Sequence, residues 1–396
     1  MSRKIATGID IGTSYIKTVI AEKRDGEAGP RVLGCGISSS EGLRRGFVIN
    51  PCEVSVAIKN SLKKAQDSAG ITVKQAFISA DGVGILGKRS KGSIIVSRTD
   101  REVTKDDIER ALQQSKIQLN QNSSSYFLNK DILHNFPISY KIDNELIIGD
   151  PLGVKGEKLE VETLFITSST QYLNNLVKSV ELSGVTVEDI AAAPWAMSHA
   201  LLNQKEKEVG CLIINIGGDT SSVIVFEDGS PISVESFPIG SNHITYDIAK
   251  GFQVLLDEAE QLKISSYGSD LSLKRKLNTI VESRLNDIFE LTGEHLRQIR
   301  NNGILPAGVI LTGGGANLNN IEEIARKSLE LPSRLSQPMF SENNKGNSDM
   351  INPVWSVAFG LCCAKLEGKN GSTVMNRKIL PGVRGVFSKL ARTFLP

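Results

Sequence analysis

The sequence predicts an α/β protein that contains two similar domains. The prediction rests on a strand, glycine turn and strand pattern that occurs twice, and on a further buried strand that ends in glycines. The first copy covers 4–21 and the second 210–226, so the copies lie about half a chain apart. In each copy, apolar and β-branched residues flank a glycine turn, which is typical of paired strands. A repeat at this distance indicates two related domains that arose by duplication.

The composition is that of a globular protein with room for several cores. The chain has 396 residues, of which 40% are hydrophobic and 23% charged. Lysine and arginine total 46 against 44 aspartates and glutamates, so we expect no nucleic-acid partner. The five cysteines show no Cys-x-x-Cys spacing, which argues against metal ligation and disulfides and fits a reducing cytosol. No apolar run approaches the ~18 residues that span a bilayer.

Hydrophobic periodicity predicts several helices and one inserted subdomain. Helices are predicted over 104–117, 170–183, 244–265 and 277–301. Thr104 provides an N-cap for the first of them. The segment 132–161 combines strand signals with glycine and proline turns, so we expect 83–165 to form a small α+β subdomain within the first domain.

Three glycine-rich turns that follow apolar strands predict a phosphate site. They are Gly12-Thr13-Ser14, Gly217-Gly218-Asp219-Thr220-Ser221 and Gly313-Gly314-Gly315. Glycine allows the backbone to approach a polyphosphate closely, and amides and hydroxyls donate hydrogen bonds to it. One such turn is ordinary chain reversal, but three in this order are more specific. The chain contains neither the P-loop sequence nor a strand–G-x-G-x-x-G–helix sequence, which excludes those two nucleotide sites.

The end of the chain predicts a short basic amphipathic helix. From Arg377 onward the sequence contains five basic residues and no acidic one. A helix of this kind after a polar linker favours attachment to an anionic membrane surface over docking on the protein's own body. The residues expected to contact the membrane are Val383, Val386, Phe387, Lys389, Leu390, Arg392, Phe394 and Leu395.

These motifs resemble those of the actin-like ATPase superfamily and, within it, those of the FtsA family of bacterial cell-division proteins. The resemblance covers nearly the whole chain. The segments similar to superfamily motifs are 8–14 (first phosphate motif), 217–220 (second phosphate motif) and 312–316 (adenosine motif). The segments 240–249 and 257–263 are similar to FtsA and not to sugar kinases, and 150–160 resembles the FtsA insert.

The resemblance implies the fold and the domain boundaries. It implies an α/β, actin-like two-domain fold of duplicated ribonuclease-H-like domains, with an FtsA-type inserted α+β subdomain and a C-terminal amphipathic helix. The implied boundaries are 1–82 and 166–196 for domain 1A, 83–165 for subdomain 1C, 197–230 and 305–366 for domain 2A, 231–304 for subdomain 2B, 367–380 for a linker and 381–396 for the membrane helix.

The resemblance also implies a site for ATP and Mg²⁺. Asp10 would hold Mg²⁺ through water, since this cation prefers carboxylates and keeps several waters. The implied phosphate contacts are Gly12, Thr13, Ser14, Lys17, Asn215, Gly217, Gly218, Thr220 and Gly240. The implied contacts to ribose, base and adenine are Glu260, Lys263, Gly313, Gly314 and Gly315. A solvated ion pair is the alternative role for Glu260 and Lys263.

Three residues depart from the second phosphate motif of the superfamily. Asn215 and Ser222 stand where acidic residues are usual, and Asp219 replaces a usual glycine. An amide cannot act as a general base near neutral pH, so we expect ATP to be bound and hydrolysed slowly or not at all. The carboxylate of Asp219 is expected to weaken phosphate binding unless a cation offsets it.

The function implied by the resemblance is that of a self-polymerising membrane adaptor at the division site, on the cytoplasmic face of the membrane. Its implied partners are the C-terminal tail of FtsZ, further copies of itself, other division proteins and the anionic membrane. We place the partner site around Arg284 and Glu290. The alternatives are an FtsA-related pilus-assembly platform protein without the tail, a small-molecule kinase and a chaperone ATPase.

Overall fold

The computed structural model describes residues 3–24, 29–97, 99–122, 126–264, 271–299, 305–338 and 352–368. The strands in these ranges are β1 (Arg3–Ile11), β2 (Tyr15–Arg24), β3 (Arg31–Ser39), β4 (Leu43–Arg44), β5 (Phe47–Val48), β6 (Gln75–Ala80), β7 (Leu86–Ile95), β8 (Lys130–Ile142), β9 (Glu145–Ile147), β10 (Lys158–Ser169), β11 (Thr186–Ala192), β12 (Cys211–Ile216), β13 (Ser221–Glu227), β14 (Ser230–Phe237), β15 (Val309–Thr312) and β16 (Ser333–Leu335). The helices are α1 (Pro51–Ala69), α2 (Lys105–Asn122), α3 (Thr170–Leu182), α4 (Ala193–Leu201), α5 (Gln204–Val209), α6 (Ser241–Phe252), α7 (Leu256–Ile264), α8 (Leu271–Ile299), α9 (Ile321–Leu329) and α10 (Ser356–Leu366).

Two five-stranded sheets have the same topology. The first has the order β3-β2-β1-β6-β11 and the second the order β14-β13-β12-β15-β16. In each sheet, three antiparallel strands are followed by two that run parallel to the central strand. We call the elements around the first sheet the first domain and those around the second sheet the second domain. The repeated order confirms the duplicated α/β fold.

Both predicted hairpins are present, and close helix packing requires small residues in the first sheet. β1 and β2 pair across the turn at Gly12, and β12 pairs with β13 across the turn at Gly217. Helix α1 begins after the N-cap Asn50 and packs on β3. A Cβ on Gly36 of β3 would lie 2.0 Å from the carbonyl oxygen of Ser61 in α1, so only glycine permits this packing.

The inserted segment forms its own antiparallel sheet, ordered β7-β10-β8-β9, with α2 against it. A separate apolar cluster that includes Val103, Ala111 and Leu159 lies between α2 and this sheet. The predicted N-cap is confirmed, because the backbone N–H of Asp107 donates to Thr104 Oγ1 and Thr104 Oγ1 donates to Asp107 Oδ2. Burial raises the pKa of Asp107, but the hydrogen bonds that it accepts from Ser97 and Thr104 outweigh this effect and lower the pKa to about 2.

One predicted helix is wrong. The segment 244–265 forms two helices, α6 and α7, because Gln253 has φ 57° and ends α6 in a left-handed conformation. Its backbone N–H donates to the carbonyl of Ala249, which closes the last turn. The predicted helix over 277–301 is present and starts earlier, at Leu271.

Some predictions concern residues outside the described ranges. These are a surface loop, which the polar residues of 341–350 predict, most of the 367–380 linker and the whole amphipathic segment 381–396. In the described part of the chain, no helix combines the length and apolarity needed to cross a lipid bilayer.

We expect Phe289→Ala to destabilise the second domain. Phe289 of α8 is fully buried in the core of this domain, so truncation leaves a cavity. The free energy of unfolding should fall by about 3–5 kcal/mol, measured by urea titration followed by circular dichroism. Glu294→Ala, at an exposed position of the same helix, should change it by less than about 0.5 kcal/mol. Equal effects of the two substitutions would contradict the packing described here.

Candidate functional site

The two hairpin turns meet across a cleft between the domains. A Cβ on Gly218 would lie 2.2 Å from Ser14 Oγ, so no side chain fits between the turns. The backbone N–H of Gly217 donates to the carbonyl oxygen of Thr220 at 2.9 Å and closes the second turn. The two turns therefore bring a hydroxyl group and a glycine backbone together, and both kinds of group are common at phosphate sites.

Asp10 and Lys17 form an ion pair at the base of the first turn. They are cross-strand partners in β1 and β2, and Lys17 Nζ lies 2.5 Å from Asp10 Oδ2. Ser79 Oγ of β6 donates to the other carboxylate oxygen at 3.1 Å. Lys17 Nζ is also 3.7 Å from the position of a Cβ on Gly12. Lys17 therefore neutralises Asp10 directly beside the turn where we expected it to approach phosphate.

The carboxylate of Asp219 is hydrogen bonded on both sides. The backbone N–H of Arg45, in the turn between β4 and β5, donates to Asp219 Oδ2 at 3.0 Å across the cleft. Asn242 Nδ2 donates to Asp219 Oδ1 at 2.8 Å. Both bonds engage the charge that we expected to oppose phosphate binding, and the bond from Arg45 joins the two domains.

The start of α6 supports the second turn. The backbone amides of Ser241 and Asn242 donate to the carbonyl oxygens of Gly217 and Gly218 at 2.9 and 2.8 Å. A Cβ on Gly240 would lie 2.4 Å from the carbonyl oxygen of Gly218. Gly240, predicted as a nucleotide contact, is thus needed for the close approach of α6 to the turn.

The third glycine turn packs on the end of β12. β15 pairs with β12 and ends at Thr312, directly before Gly313, which has φ 87°. A Cβ on Gly313 would lie 2.4 Å from Asn215 Oδ1, and one on Gly315 would lie 2.3 Å from Ile216 Cγ2. Around Gly314, in contrast, a Cβ would have no atom within 4 Å. The second and third turns therefore form one continuous wall of the cleft.

Asp81 is a cleft residue that the sequence interpretation missed. It directly follows β6, and its Oδ2 accepts a long hydrogen bond of 3.4 Å from Asn215 Nδ2 of the second domain. Burial and the nearby Asp10 raise the pKa of Asp81 to about 6, against the lowering effect of the Gly82 amide and the Ser222 hydroxyl. The sequence did offer one signal for this residue. Asp81 is acidic and directly follows the apolar strand β6, which pairs with β1.

Glu260 and Lys263 lie together on α7 with Thr245 of α6. Lys263 Nζ lies 2.7 Å from Glu260 Oε2 and 2.8 Å from Thr245 Oγ1. Thr245 Oγ1 also donates to Glu260 Oε2 at 2.6 Å. The lysine side chain is 7% exposed and the glutamate side chain is 39% exposed, so the ion pair is buried on the lysine side and reaches solvent on the glutamate side.

The proposed partner residues have different surroundings on α8. Arg284 forms ion pairs with Asp247 of α6 at 2.7 Å and with Asp287 at 2.9 Å. Glu290 is exposed on a different face of the same helix. Arg284 therefore joins α8 to α6, whereas Glu290 is accessible.

The side chains present fit a cation that is held mainly by phosphates and water. In the described part of the chain, no cluster of three or more His, Cys, Asp or Glu residues could hold a metal ion without help. Asp10 and Asp81 nevertheless place carboxylates next to the glycine turns. Mg²⁺ is typically bound in this way, by one or two carboxylates, substrate phosphates and several waters.

Comparison with known proteins shows the family to which this chain belongs. The model for "Cell division protein FtsA" matches residues 212–360, and the model for "SHS2 domain inserted in FTSA" matches 85–167. A cell division protein FtsA from Borreliella burgdorferi is 31% identical over 93% of this chain and 92% of its own length. The chain belongs to the FtsA family. A member from Pseudomonas aeruginosa is 29% identical over 95% of this chain and 92% of its own length. This FtsA-family protein therefore has a role in cell division.

Solved structures show the same actin-like fold. A PilM–PilN type IV pilus biogenesis complex has a TM-score of 0.69 at 15% identity, covering 91% of this chain and 98% of the other. MreB5 of Spiroplasma citri bound to AMPPNP has a TM-score of 0.50 at 14% identity, covering 92% of this chain and 97% of the other. At these identities the likeness concerns the fold of this FtsA-family protein alone.

We expect Asp81→Asn to stabilise the protein at pH 7.5 and to have little effect at pH 4. The folded-state pKa of about 6 lies above the ordinary aspartate pKa of 3.8 in the unfolded chain, so the wild type loses stability as the pH rises between these values and stays less stable above them. The asparagine variant avoids this loss, which is about 1–3 kcal/mol. Urea titrations at both pH values measure the difference. If Asp81→Asn is less stable than the wild type by the same amount at both pH values, the expectation is wrong.

Proposed function

We propose that this protein is an ATP-binding membrane adaptor that polymerises beneath the cytoplasmic membrane and tethers FtsZ filaments to it at the division site. The observation that carries the nucleotide part is the contact of the two glycine turns at Ser14 and Gly218. The structure of MreB5 of Spiroplasma citri, which has a similar actin-like fold, was solved with AMPPNP bound. Membership of the FtsA family supports the division role.

The proposed nucleotide lies across both domains. The turns at Gly12–Ser14 and Gly217–Thr220 would hold the phosphates from opposite sides, and Lys17 would exchange part of its interaction with Asp10 for the polyphosphate. Asp10 would hold the waters of Mg²⁺, and this cation supplies positive charge that offsets the phosphate oxygens. The Thr245, Glu260 and Lys263 cluster would contact the ribose and base, and Gly313–Gly315 the adenine.

We propose that ATP hydrolysis is slow or absent. Asn215 stands where the superfamily usually has an acidic residue, and an amide does not accept a proton near neutral pH. In the structure both Asn215 and Ser222 are neutral, and their side chains lie 3.4 Å apart. Nucleotide would therefore act mainly by holding the two domains together.

Membrane attachment is proposed from the sequence of the 381–396 segment. Its basic residues and apolar stripe suit an anionic bilayer surface. Ordering about a dozen residues costs on the order of 1 kcal/mol each, which offsets most of the gain from partial burial of its apolar side chains. One segment would bind weakly, and several on one polymer would bind by avidity. Polymerisation and membrane attachment would thus reinforce each other.

We propose that FtsZ and other division proteins bind subdomain 2B, the segment 231–304 of the second domain, around α8. Glu290 is exposed there, while Arg284 is engaged by Asp247 and Asp287. The C-terminal tail of FtsZ is the proposed ligand of this face.

Gly218→Ala tests the nucleotide cleft. The new Cβ would lie 2.2 Å from Ser14 Oγ, so the turns must separate and the phosphate contacts weaken. We expect calorimetry to show at least about tenfold weaker Mg-ATP binding, equivalent to about 1.4 kcal/mol. Gly293→Ala in α8 is the matched control, since it lies outside the proposed nucleotide site and its Cβ would meet only ordinary contacts at 3.5 Å or more. Wild-type protein that takes up no Mg-ATP would refute the nucleotide proposal, and equal affinities of both variants would refute the geometry.

Deletion of 381–396 tests the adaptor role. The full chain should co-sediment with vesicles that contain anionic lipid, and the truncated chain should stay in solution. Phe387→Asp should reduce binding by a similar amount because it puts a charge in the apolar stripe, while Ser388→Ala, on the other face, should not. An FtsZ tail peptide should sediment only with the full chain. Equal sedimentation of the full and truncated chains would refute the proposal.

A further inference from the structure

Asp81 contacts the two residues that make this cleft unusual. Asn215 and Ser222 occupy positions where the superfamily motif commonly has acidic residues. Asn215 Nδ2 donates to Asp81 Oδ2 at 3.4 Å, and the Ser222 hydroxyl beside it lowers the pKa of the same carboxyl group. Two neutral donors on the second domain therefore face one carboxylate from the first domain. This part of the cleft therefore still contains a carboxylate, which comes from the first domain instead of the second.

The position of Asp81 is well defined by its backbone. β6 runs parallel to β1, with Ile78 beside Ile9, so Asp81 leaves the sheet next to the first glycine turn. Its backbone N–H donates to Tyr172 Oη at 3.2 Å, and its carbonyl accepts from the same hydroxyl at 2.9 Å. The Gly82 amide donates to Oδ1 at 2.8 Å. The carboxylate is thus held with Oδ2 towards the second domain.

We propose that Asp81, together with Asp10, accepts hydrogen bonds from the water around the ATP-bound cation, in place of an acidic residue at position 215. The inference rests on the proposed binding of ATP. Asp81 is partly exposed at the cleft, and its hydrogen bond to Asn215 is long enough to yield readily to a water molecule. Asp81 is a positioning residue in this proposal, because it acts through the water that the cation holds.

The proposal predicts opposite effects with and without the cation. A carboxylate near the phosphates attracts the hydrated cation but repels a triphosphate that carries none. Asp81→Asn should therefore weaken ATP binding in Mg²⁺, by about 10-fold to 100-fold as for other residues that act through a metal's outer contacts. The same substitution should leave ATP binding in EDTA unchanged or slightly tighter. A purely structural role of Asp81 would shift both affinities in the same direction.

The experiment measures ATP affinity by calorimetry in Mg²⁺ and in EDTA for the wild type, Asp81→Asn, and Asp81→Asn combined with Asn215→Asp. Mn²⁺ binding in the presence of ATP, followed by electron paramagnetic resonance, gives a readout of the cation itself. The double variant returns one carboxylate to the cleft from the other wall, so it should recover most of the Mg²⁺ dependence. Asp67→Asn, an equal charge change at an exposed position of α1, should behave as the wild type.

The outcomes separate this inference from the proposed function. The wild type is expected to bind ATP more tightly in Mg²⁺ than in EDTA. If Asp81→Asn keeps the same ratio of these two affinities, the inference is refuted while nucleotide binding stands. If Asp81→Asn loses this ratio and the double variant does not recover it, a carboxylate at position 215 cannot take the place of Asp81. The proposed equivalence of the two positions is then refuted. If the wild type binds no ATP under either condition, the proposed function fails and the inference falls with it.

Discussion

The cleft depends on one steric constraint, which is that nothing larger than hydrogen fits between the two hairpin turns. At Gly218 a Cβ would overlap Ser14 Oγ, and at Gly240 it would overlap the carbonyl oxygen of Gly218. Because both positions are glycine, the first turn, the second turn and the start of α6 can lie in direct contact. The backbone amides and hydroxyls of the two domains then point into a common space, and the contacts that follow across the cleft become possible.

Each carboxylate around this cleft has a different partner. Asp10 pairs with Lys17 in its own hairpin, Asp219 accepts from the Arg45 amide, and Asp81 accepts from Asn215. The last two bonds cross between the domains, so they contribute to domain closure as well as to charge balance.

Local sequence signals predicted the elements that depend on local interactions. The helix after Thr104 was predictable because its cap uses Asp107, three residues away. The break at Gln253 was not, because the residue in the left-handed conformation is a glutamine and the nearby Gly251 lies inside α6, which packs on α7. Lys263 and Glu260 could be placed on one face of α7, but Thr245, which joins them, comes from another helix.

The sequence by itself determined the duplicated hairpins, the three glycine turns and the kinship with the FtsA family, because these are encoded in short runs with fixed spacing. Only the tertiary structure decided how the charges are distributed over the cleft. Asp81 and Asn215 are 134 residues apart in the chain, and so are in contact only because β6 and β12 end at facing edges of two different sheets. Asp219 likewise finds its partner in a turn 174 residues away. Such pairings depend on the closure of two folded domains, which no local pattern of residues can specify.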